Sequence, residues 1–297
     1  MRALVTRSIH RTSLRAFSIL TMCAALAASC VNGPAVMTEQ AEARRLAAQL
    51  QVSFANANEA ANRAVLADTD EASIAAAKES EDASKAAQDA VAQLEPHLRS
   101  LGYKDEISSL QRFTAKFDEC RKLDGEILPL AVENTNLKAQ RLSFGEAQDS
   151  ADAFSKSVEA ASAVARGADG ELQASRAREA VVALQVLQAR HIAEADNAAM
   201  DRMEQQMTGL ERNARAALDR LRTLTGGKAG KDIEAATAAL DRFLDVNRQI
   251  VQLSRRNTNV RSLALTLGRK RVVAAEAEDQ LRSLNDVLAS HAFQATR

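Results

Sequence analysis

Large apolar residues recur along this chain at alternating steps of four and three positions, a spacing that predicts long amphipathic helices. The clearest run is Val246, Ile250, Leu253, Asn257, Val260, Ala264 and Leu267. A shorter run with the same steps places Asn134 where the first run has Asn257. Because a coiled-coil seam needs this spacing without interruption, we predict that the helix continues through each asparagine.

The surroundings of the two asparagines match each other without gaps, at an offset of 123 positions. Asn134-Thr135-Asn136 pairs with Asn257-Thr258-Asn259, and Leu142-Ser143-Phe144-Gly145 pairs with Leu265-Thr266-Leu267-Gly268. Ungapped similarity at one fixed period predicts two copies of a single helical unit. We assign residues 41–166 to the first helical repeat and residues 171–292 to the second.

Glycine-containing turn signals are few, and they divide the chain into long segments. They lie at residues 102–105, 167–170 and 226–230. Each repeat then forms one helical hairpin. The predicted fold class is all-α: a long antiparallel four-helix bundle built from two repeated helical hairpins. The alternative is two short four-helix bundles in tandem.

Two local signals predict interruptions of these helices. Asp68-Thr69-Asp70 supplies side chains that cap helix N-termini, so we expect the first helix to stop there and a new one to begin. Ser143 and Glu146 have the spacing of a capping box. That box leaves a break near Gly145 as the alternative to a continuous helix in the first repeat.

Composition narrows the class of protein. Aromatic residues are 3% of the chain and tryptophan is absent, which argues against a β-sandwich or barrel. The 39 basic side chains are balanced by 39 acidic ones, so nothing favours nucleic-acid binding. Four histidines and three cysteines offer little material for a metal site, and no phosphate loop or catalytic motif is present. We predict no enzyme activity, no cofactor and no metal.

Residues 1–29 are predicted to be a lipoprotein-type signal peptide, and residues 30–40 a tether. Four arginines and no acidic residue precede a short apolar stretch, from Ala16 to Ala28, that is too short to span a bilayer permanently. Small residues directly before Cys30 resemble a bacterial lipobox, which implies lipidation of Cys30 and anchoring in the bilayer. In such lipoproteins, Val31 after the cysteine implies sorting to the outer membrane, facing the periplasm. A signal that is cleaved without lipidation is the alternative.

The predicted seam contains polar residues. If the repeats are related by pseudo-twofold symmetry, Asn134 and Asn257 lie at one height and bond to each other. Such a pair either fixes the register of the helices or lines a site for a small ligand. Arg141 and Arg271 share the seam and Arg261 lies near it, so these residues are candidates for binding a carboxylate or another small anion. A solvated charged face is the alternative for the arginines.

Several segments of the sequence are similar to segments of a known protein family, and the longest of them covers residues 257–271. Residues 134–145, His191-Ile192-Ala193-Glu194-Ala195-Asp196 and Met200-Asp201 show the same likeness. These segments resemble the periplasmic four-helix-bundle sensor domains of methyl-accepting chemotaxis receptors. The resemblance implies an all-α extracytoplasmic bundle that senses small molecules or protein partners. We expect a lipoprotein that lacks the signalling half of such receptors.

We therefore expect a membrane-tethered extracytoplasmic helical module that binds a small anionic solute or an envelope protein without catalysis. A purely structural periplasmic spacer lipoprotein is the alternative. Four helices in one chain are enough to close a bundle, whereas leftover apolar stripes would let two chains pair as a homodimer.

Overall fold

The computed structural model describes residues 33–165 and 167–294, and every regular element in these ranges is helical. The predicted all-α fold class is confirmed. The signal peptide and Cys30 lie outside the described residues. In the first repeat the helices are α1 (Gly33–Leu66), α2 (Asp70–Ser100), α3 (Lys104–Glu133), α4 (Thr135–Leu142) and α5 (Gln148–Ala165). In the second they are α6 (Ala168–Ala193), α7 (Asn197–Thr225), α8 (Gly230–Arg256), α9 (Thr258–Leu265) and α10 (Arg271–Gln294).

The interruption predicted at Asp68-Thr69-Asp70 is confirmed. Helix α1 ends at Leu66 and α2 begins at Asp70. The hydroxyl of Thr69 accepts a hydrogen bond from the backbone N–H of Ala72 at 3.1 Å, which satisfies one of the N–H groups that the first turn of a helix leaves unpaired. The second repeat breaks in the same way between α6 and α7, where Asp196 caps Ala199 at 2.7 Å.

The prediction of a helix that runs through each Asn-Thr-Asn motif is wrong. Asn134 separates α3 from α4 with φ 52° and ψ 40°, and Asn257 separates α8 from α9 with φ 53° and ψ 39°. Both asparagines are in the left-handed region, which asparagine enters more readily than most residues that carry a side chain. Apolar spacing counts positions and carries no information on the φ angle of one residue, so the seam pattern could not reveal the break.

A five-residue π-helical segment follows in each repeat, at Ser143–Ala147 and Thr266–Lys270. The second segment is kinked at Gly268, whose angles of φ −85° and ψ −111° are not helical. The wider π turn takes the place of the break considered near Gly145, and it shifts the face that later residues present. Phe144 is 72% exposed and its counterpart Leu267 is 58% exposed. The apolar seam therefore does not extend to Leu267 as predicted.

The chain divides into two compact units. The described part of the first unit consists of residues 33–59, 80–121 and 272–294. Its interior contains Phe54, which makes an edge-to-face contact with Phe113 at 5.4 Å between ring centroids. Leu94, Leu98 and Leu284 are buried in the same unit.

The second unit consists of residues 60–79 and 122–271 and contains both Asn-Thr-Asn motifs. Buried side chains of α5, α6, α7 and α8 form its core, with Phe154, Leu184, Met200, Leu221 and Phe243 among the largest. None of the helices that the structure describes has the length and apolar character needed to cross a bilayer.

Candidate functional site

The two Asn-Thr-Asn motifs bond to each other across the second unit, and we call these six residues the clasp. The backbone N–H of Thr135 donates to Oγ1 of Thr258 at 3.1 Å, and the N–H of Thr258 donates to Oγ1 of Thr135 at 3.2 Å. In the same reciprocal way, the N–H groups of Asn136 and Asn259 donate to each other's Oδ1 atoms, both at 3.1 Å. The first amides of α4 and α9, which a helix cannot satisfy itself, are thus capped by the other repeat.

The asparagines at the left-handed positions do not bond to each other, so that prediction is wrong. Oδ1 of Asn134 accepts from Nδ2 of Asn259 at 2.8 Å, and Oδ1 of Asn257 accepts from Nδ2 of Asn136 at 2.7 Å. Each left-handed asparagine therefore pairs with the last residue of the other motif. The helix break explains this, because it turns the backbone so that first and third residues meet across the pseudo-twofold axis.

The clasp also holds the junction between α6 and α7. Nδ2 of Asn136 donates to the carbonyl oxygen of Ile192 at 2.7 Å, and Nδ2 of Asn257 donates to that of Glu194 at 2.8 Å. Carbonyl groups at the end of a helix have no partner in the helix itself. Asparagines from both repeats supply those partners here, so the junction is tied to the clasp.

The three arginines predicted to bind an anion are exposed. Arg141 is exposed, donates to the carbonyl oxygen of Asp68 at 3.2 Å, and lies 3.6 Å from a carboxylate oxygen of Asp70. Arg261 and Arg271 are exposed as well. Arg141 nevertheless lies next to the clasp, because Nδ2 of Asn134 donates to the other carboxylate oxygen of Asp70 at 3.2 Å.

A buried polar group that sequence reasoning missed lies beside the clasp. His191 is fully buried, with Nδ1 2.7 Å from Oγ of Ser254 and Nε2 2.9 Å from Oε1 of Glu204. Oγ of Ser254 donates to the backbone carbonyl of Ile250 at 2.8 Å. Serine, histidine and a carboxylate linked by hydrogen bonds are also the components of a nucleophilic triad. Here, however, the serine hydroxyl donates to a backbone carbonyl of its own helix, and both the serine and the histidine are buried. The group joins α6, α7 and α8.

Electrostatics reinforce this junction. Burial by itself would raise the pKa of Glu204, but hydrogen bonds from Arg255 and His191 outweigh burial and hold that pKa below its ordinary value. Arg255 donates to Glu204 at 2.6 Å and also bonds to Asp201. These two carboxylates raise the pKa of Arg255 well above its usual range. The side chains of α7 and α8 are thus linked by charge next to the clasp.

The second unit also contains a buried ion pair, which joins Asp124 of α3 to Lys270 of the second π segment. Burial raises the pKa of Asp124, although the charge and hydrogen bond of Lys270 act in the opposite direction. Asn247 and Ala147 occupy the equivalent positions in the other repeat. The repeats therefore use different polar groups at this level of the core.

A cleft of about 290 Å³ opens between α4 and α6, directly beside the clasp. It is lined by Asn136, Leu137, Gln140, Ser143, Phe144, Ala189, Ile192, Ala193 and Asn259. We call it the α4–α6 cleft. Asn136 and Asn259 come from different repeats, so the cleft touches both copies at once. None of its described lining residues is ionisable, and the predicted arginines are not among them.

The second unit has another depression, of about 570 Å³, on the surface between α6 and α7. Arg176 and Glu179 lie in its lining. It involves no residue of the clasp. Within the ranges that the structure describes, no three histidine, cysteine, aspartate or glutamate residues are placed to hold a metal ion.

The chain matches no family model, no curated protein and no solved structure. The resemblance to chemoreceptor sensor domains therefore rests on the sequence segments quoted above.

Proposed function

We propose that this protein is a non-catalytic binding module of the cell envelope, tethered by a lipid on Cys30, and that it takes a small solute in the α4–α6 cleft. The observation that carries the proposal is the position of Asn136 and Asn259. Each lines the cleft, and each also completes the clasp between the repeats. A solute in the cleft contacts the bonds that hold the two repeats together.

Because of this position, a solute bound in the cleft can change the stability of the α6–α7 junction. Asn136 connects the cleft to Ile192, at the end of α6, and to Asn257 of the other repeat. A ligand shifts a conformational equilibrium only by its difference in affinity for the two states. A solute that favours the clasped arrangement stabilises the α6–α7 junction, as a sensor-like module requires.

A thermal-shift screen of the mature chain tests this function. Amino acids, organic acids, neutral ring compounds and inorganic anions are each added at saturating concentration. A specific ligand at about 100 times its dissociation constant stabilises the fold by about 2.7 kcal/mol. The matched variants are Ala189→Trp, which fills the cleft, and Val186→Trp, which places the same side chain at an exposed position of α6 outside the cleft lining. If no compound raises the melting temperature in a way that Ala189→Trp abolishes, the proposal is wrong.

A structural spacer is the second candidate, and one observation favours it. The asparagine and threonine groups of the clasp are satisfied by one another, so the register of the repeats is fixed without a ligand. A spacer predicts that Ala189→Trp leaves the protein's role in the envelope intact. A solute-binding module predicts that the same variant loses its role while retaining its helical content.

The lipid anchor has its own test. Mass spectrometry of the mature protein is expected to find a lipid-modified cysteine at position 30, and Cys30→Ala is expected to release the chain from the outer-membrane fraction. An unmodified amino terminus downstream of Cys30 contradicts the anchor but leaves solute binding untouched.

A further inference from the structure

The lining of the α4–α6 cleft defines the chemistry of what it binds. We infer that its ligand is a neutral, planar ring compound that carries a lactam or carboxamide group, a statement that rests on the proposed function. This ligand class differs from the small anion that the arginines led us to expect. The charge, the exposed ring and the hydrogen-bonding groups of the lining each support it.

The absence of charged groups from the described lining disfavours an anion in this cleft. Moving a charged group out of water is costly unless an opposite charge receives it. No lining residue that the structure describes carries an ionisable side chain. Arg141 lies on α4 as well, but its guanidinium faces Asp70 and the carbonyl of Asp68. A neutral ligand enters the cleft without this penalty.

The apolar part of the lining favours a flat ring. Phe144 lines the cleft with 72% of its surface exposed, the largest exposed fraction among the exposed large apolar residues of the described chain. Aromatic rings gain from stacking against a second ring, beyond the area that is buried. Leu137 and Ile192 provide further apolar contact. A planar ligand covers Phe144 and removes exposed apolar surface from water.

The polar part of the lining favours an amide group. The carboxamide of Gln140 is exposed and makes no hydrogen bond with any residue that the structure describes. Asn259 uses one N–H of its amide on Asn134, and Oδ1 of Asn136 accepts one bond although it has two lone pairs. A carboxamide presents a donor and an acceptor side by side. Its best complement is a ligand edge with the same pair of groups, as in a lactam or an amide.

Calorimetry with two isosteric probes tests the ligand class on the full mature chain. Nicotinamide carries the neutral amide, and nicotinate carries a carboxylate on the same ring. Nicotinamide is expected to bind at least about tenfold more tightly than nicotinate, the difference that one favourable polar contact of about 1.4 kcal/mol produces. Uracil, a lactam, is expected to bind as well. Nicotinate binding as tightly as nicotinamide would overturn the inference.

Variants locate the binding. Phe144→Ala is expected to weaken nicotinamide binding about tenfold, whereas Leu267→Ala, its exposed counterpart on the other π segment, is expected to leave binding unchanged. Gln140→Leu is expected to weaken nicotinamide binding about tenfold, because the ligand amide loses the carboxamide that it pairs with, the effect of one polar contact of about 1.4 kcal/mol. Circular dichroism verifies that each exposed-site variant keeps its helical content. Equal losses from Phe144→Ala and Leu267→Ala contradict the assignment.

The outcomes separate this inference from the proposed function. If an anion or an aliphatic solute binds and Ala189→Trp abolishes that binding, the cleft is a solute site but the ligand class is wrong. If nicotinamide binds and Ala189→Trp has no effect, the site itself is wrong. If no compound of any class binds, both the inference and the solute-binding function fail.

Discussion

Replacing Asn257 by leucine tests the most consequential feature of the fold, the left-handed break inside each repeat. Asn257 has φ 53°, and a leucine forced into that region costs about 1–2 kcal/mol. The replacement also removes the bonds from Nδ2 to Glu194 and from Asn136 to Oδ1, each contributing about 1 kcal/mol net. We expect Asn257→Leu to lower the free energy of unfolding by about 3–4 kcal/mol.

Asn257→Gly is the matched control, because glycine adopts the left-handed conformation without steric cost. It loses the same two hydrogen bonds, so we expect a destabilisation of about 2 kcal/mol. The glycine variant should therefore be more stable than the leucine variant. Urea unfolding followed by helical circular dichroism measures both, with linear extrapolation to water.

The relative stability of the leucine and glycine variants distinguishes a left-handed break at Asn257 from a continuous helix. In a continuous coiled-coil helix, leucine at a seam position would stabilise the protein and glycine would cost about 1 kcal/mol relative to alanine. A leucine variant more stable than the wild type, or a glycine variant less stable than the leucine variant, would refute the left-handed break. The same pair of substitutions at Asn134, which bonds to Asp70 and Asn259, provides an independent measurement.

Three further predictions concern charged groups of the second unit. Lys270→Met leaves the buried carboxylate of Asp124 without its partner and should lower the free energy of unfolding by about 3 kcal/mol. The double variant that also carries Asp124→Leu should regain most of that stability, and chemical unfolding measures both variants. Because the pKa of Asp124 is raised, its contribution to stability is complete below its ordinary value of 3.8 and is lost as the pH rises through the raised value. Asp124→Asn should remove that fall. The pKa of Glu204 is lowered, so its contribution is present above 4.5 and is lost as the pH falls through the lowered value. Glu204→Gln should reduce the fall in the free energy of unfolding below pH 4.5, and an unchanged slope would contradict the role of Arg255 and His191.

Part of this fold could be predicted from local pattern. The all-α class followed from apolar spacing and from the scarcity of glycine-containing turn signals, and the interruption at Asp68-Thr69-Asp70 followed from capping chemistry. The ungapped match of the two repeats located both Asn-Thr-Asn motifs, whose helix boundaries agree position by position. These features follow from local residue patterns or from direct similarity between the two repeats, and neither requires knowledge of the tertiary structure.

The candidate site was only partly accessible. The sequence predicted Asn134 and Asn257 as polar core positions and grouped Arg141, Arg261 and Arg271 with them, and the structure leaves these three arginines exposed. Asn136 and Asn259, two of the residues that line the cleft, were not among the predicted site residues, although the repeated motif contained both. The contacts of His191 with Ser254 and Glu204 gave no sequence signal, because they join residues 63 and 13 positions apart on three helices.

The sequence by itself determined the helical class, the duplication and the polar motif, since each of these is written in short-range periodicity or in direct similarity. The tertiary structure alone decided which partner each polar group took. The clasp joins backbone N–H groups to side chains 123 positions away, and a left-handed asparagine costs little only when such bonds are formed. Hydrogen-bond satisfaction is thus a long-range property of the folded chain, and it set both the helix breaks and the position of the cleft.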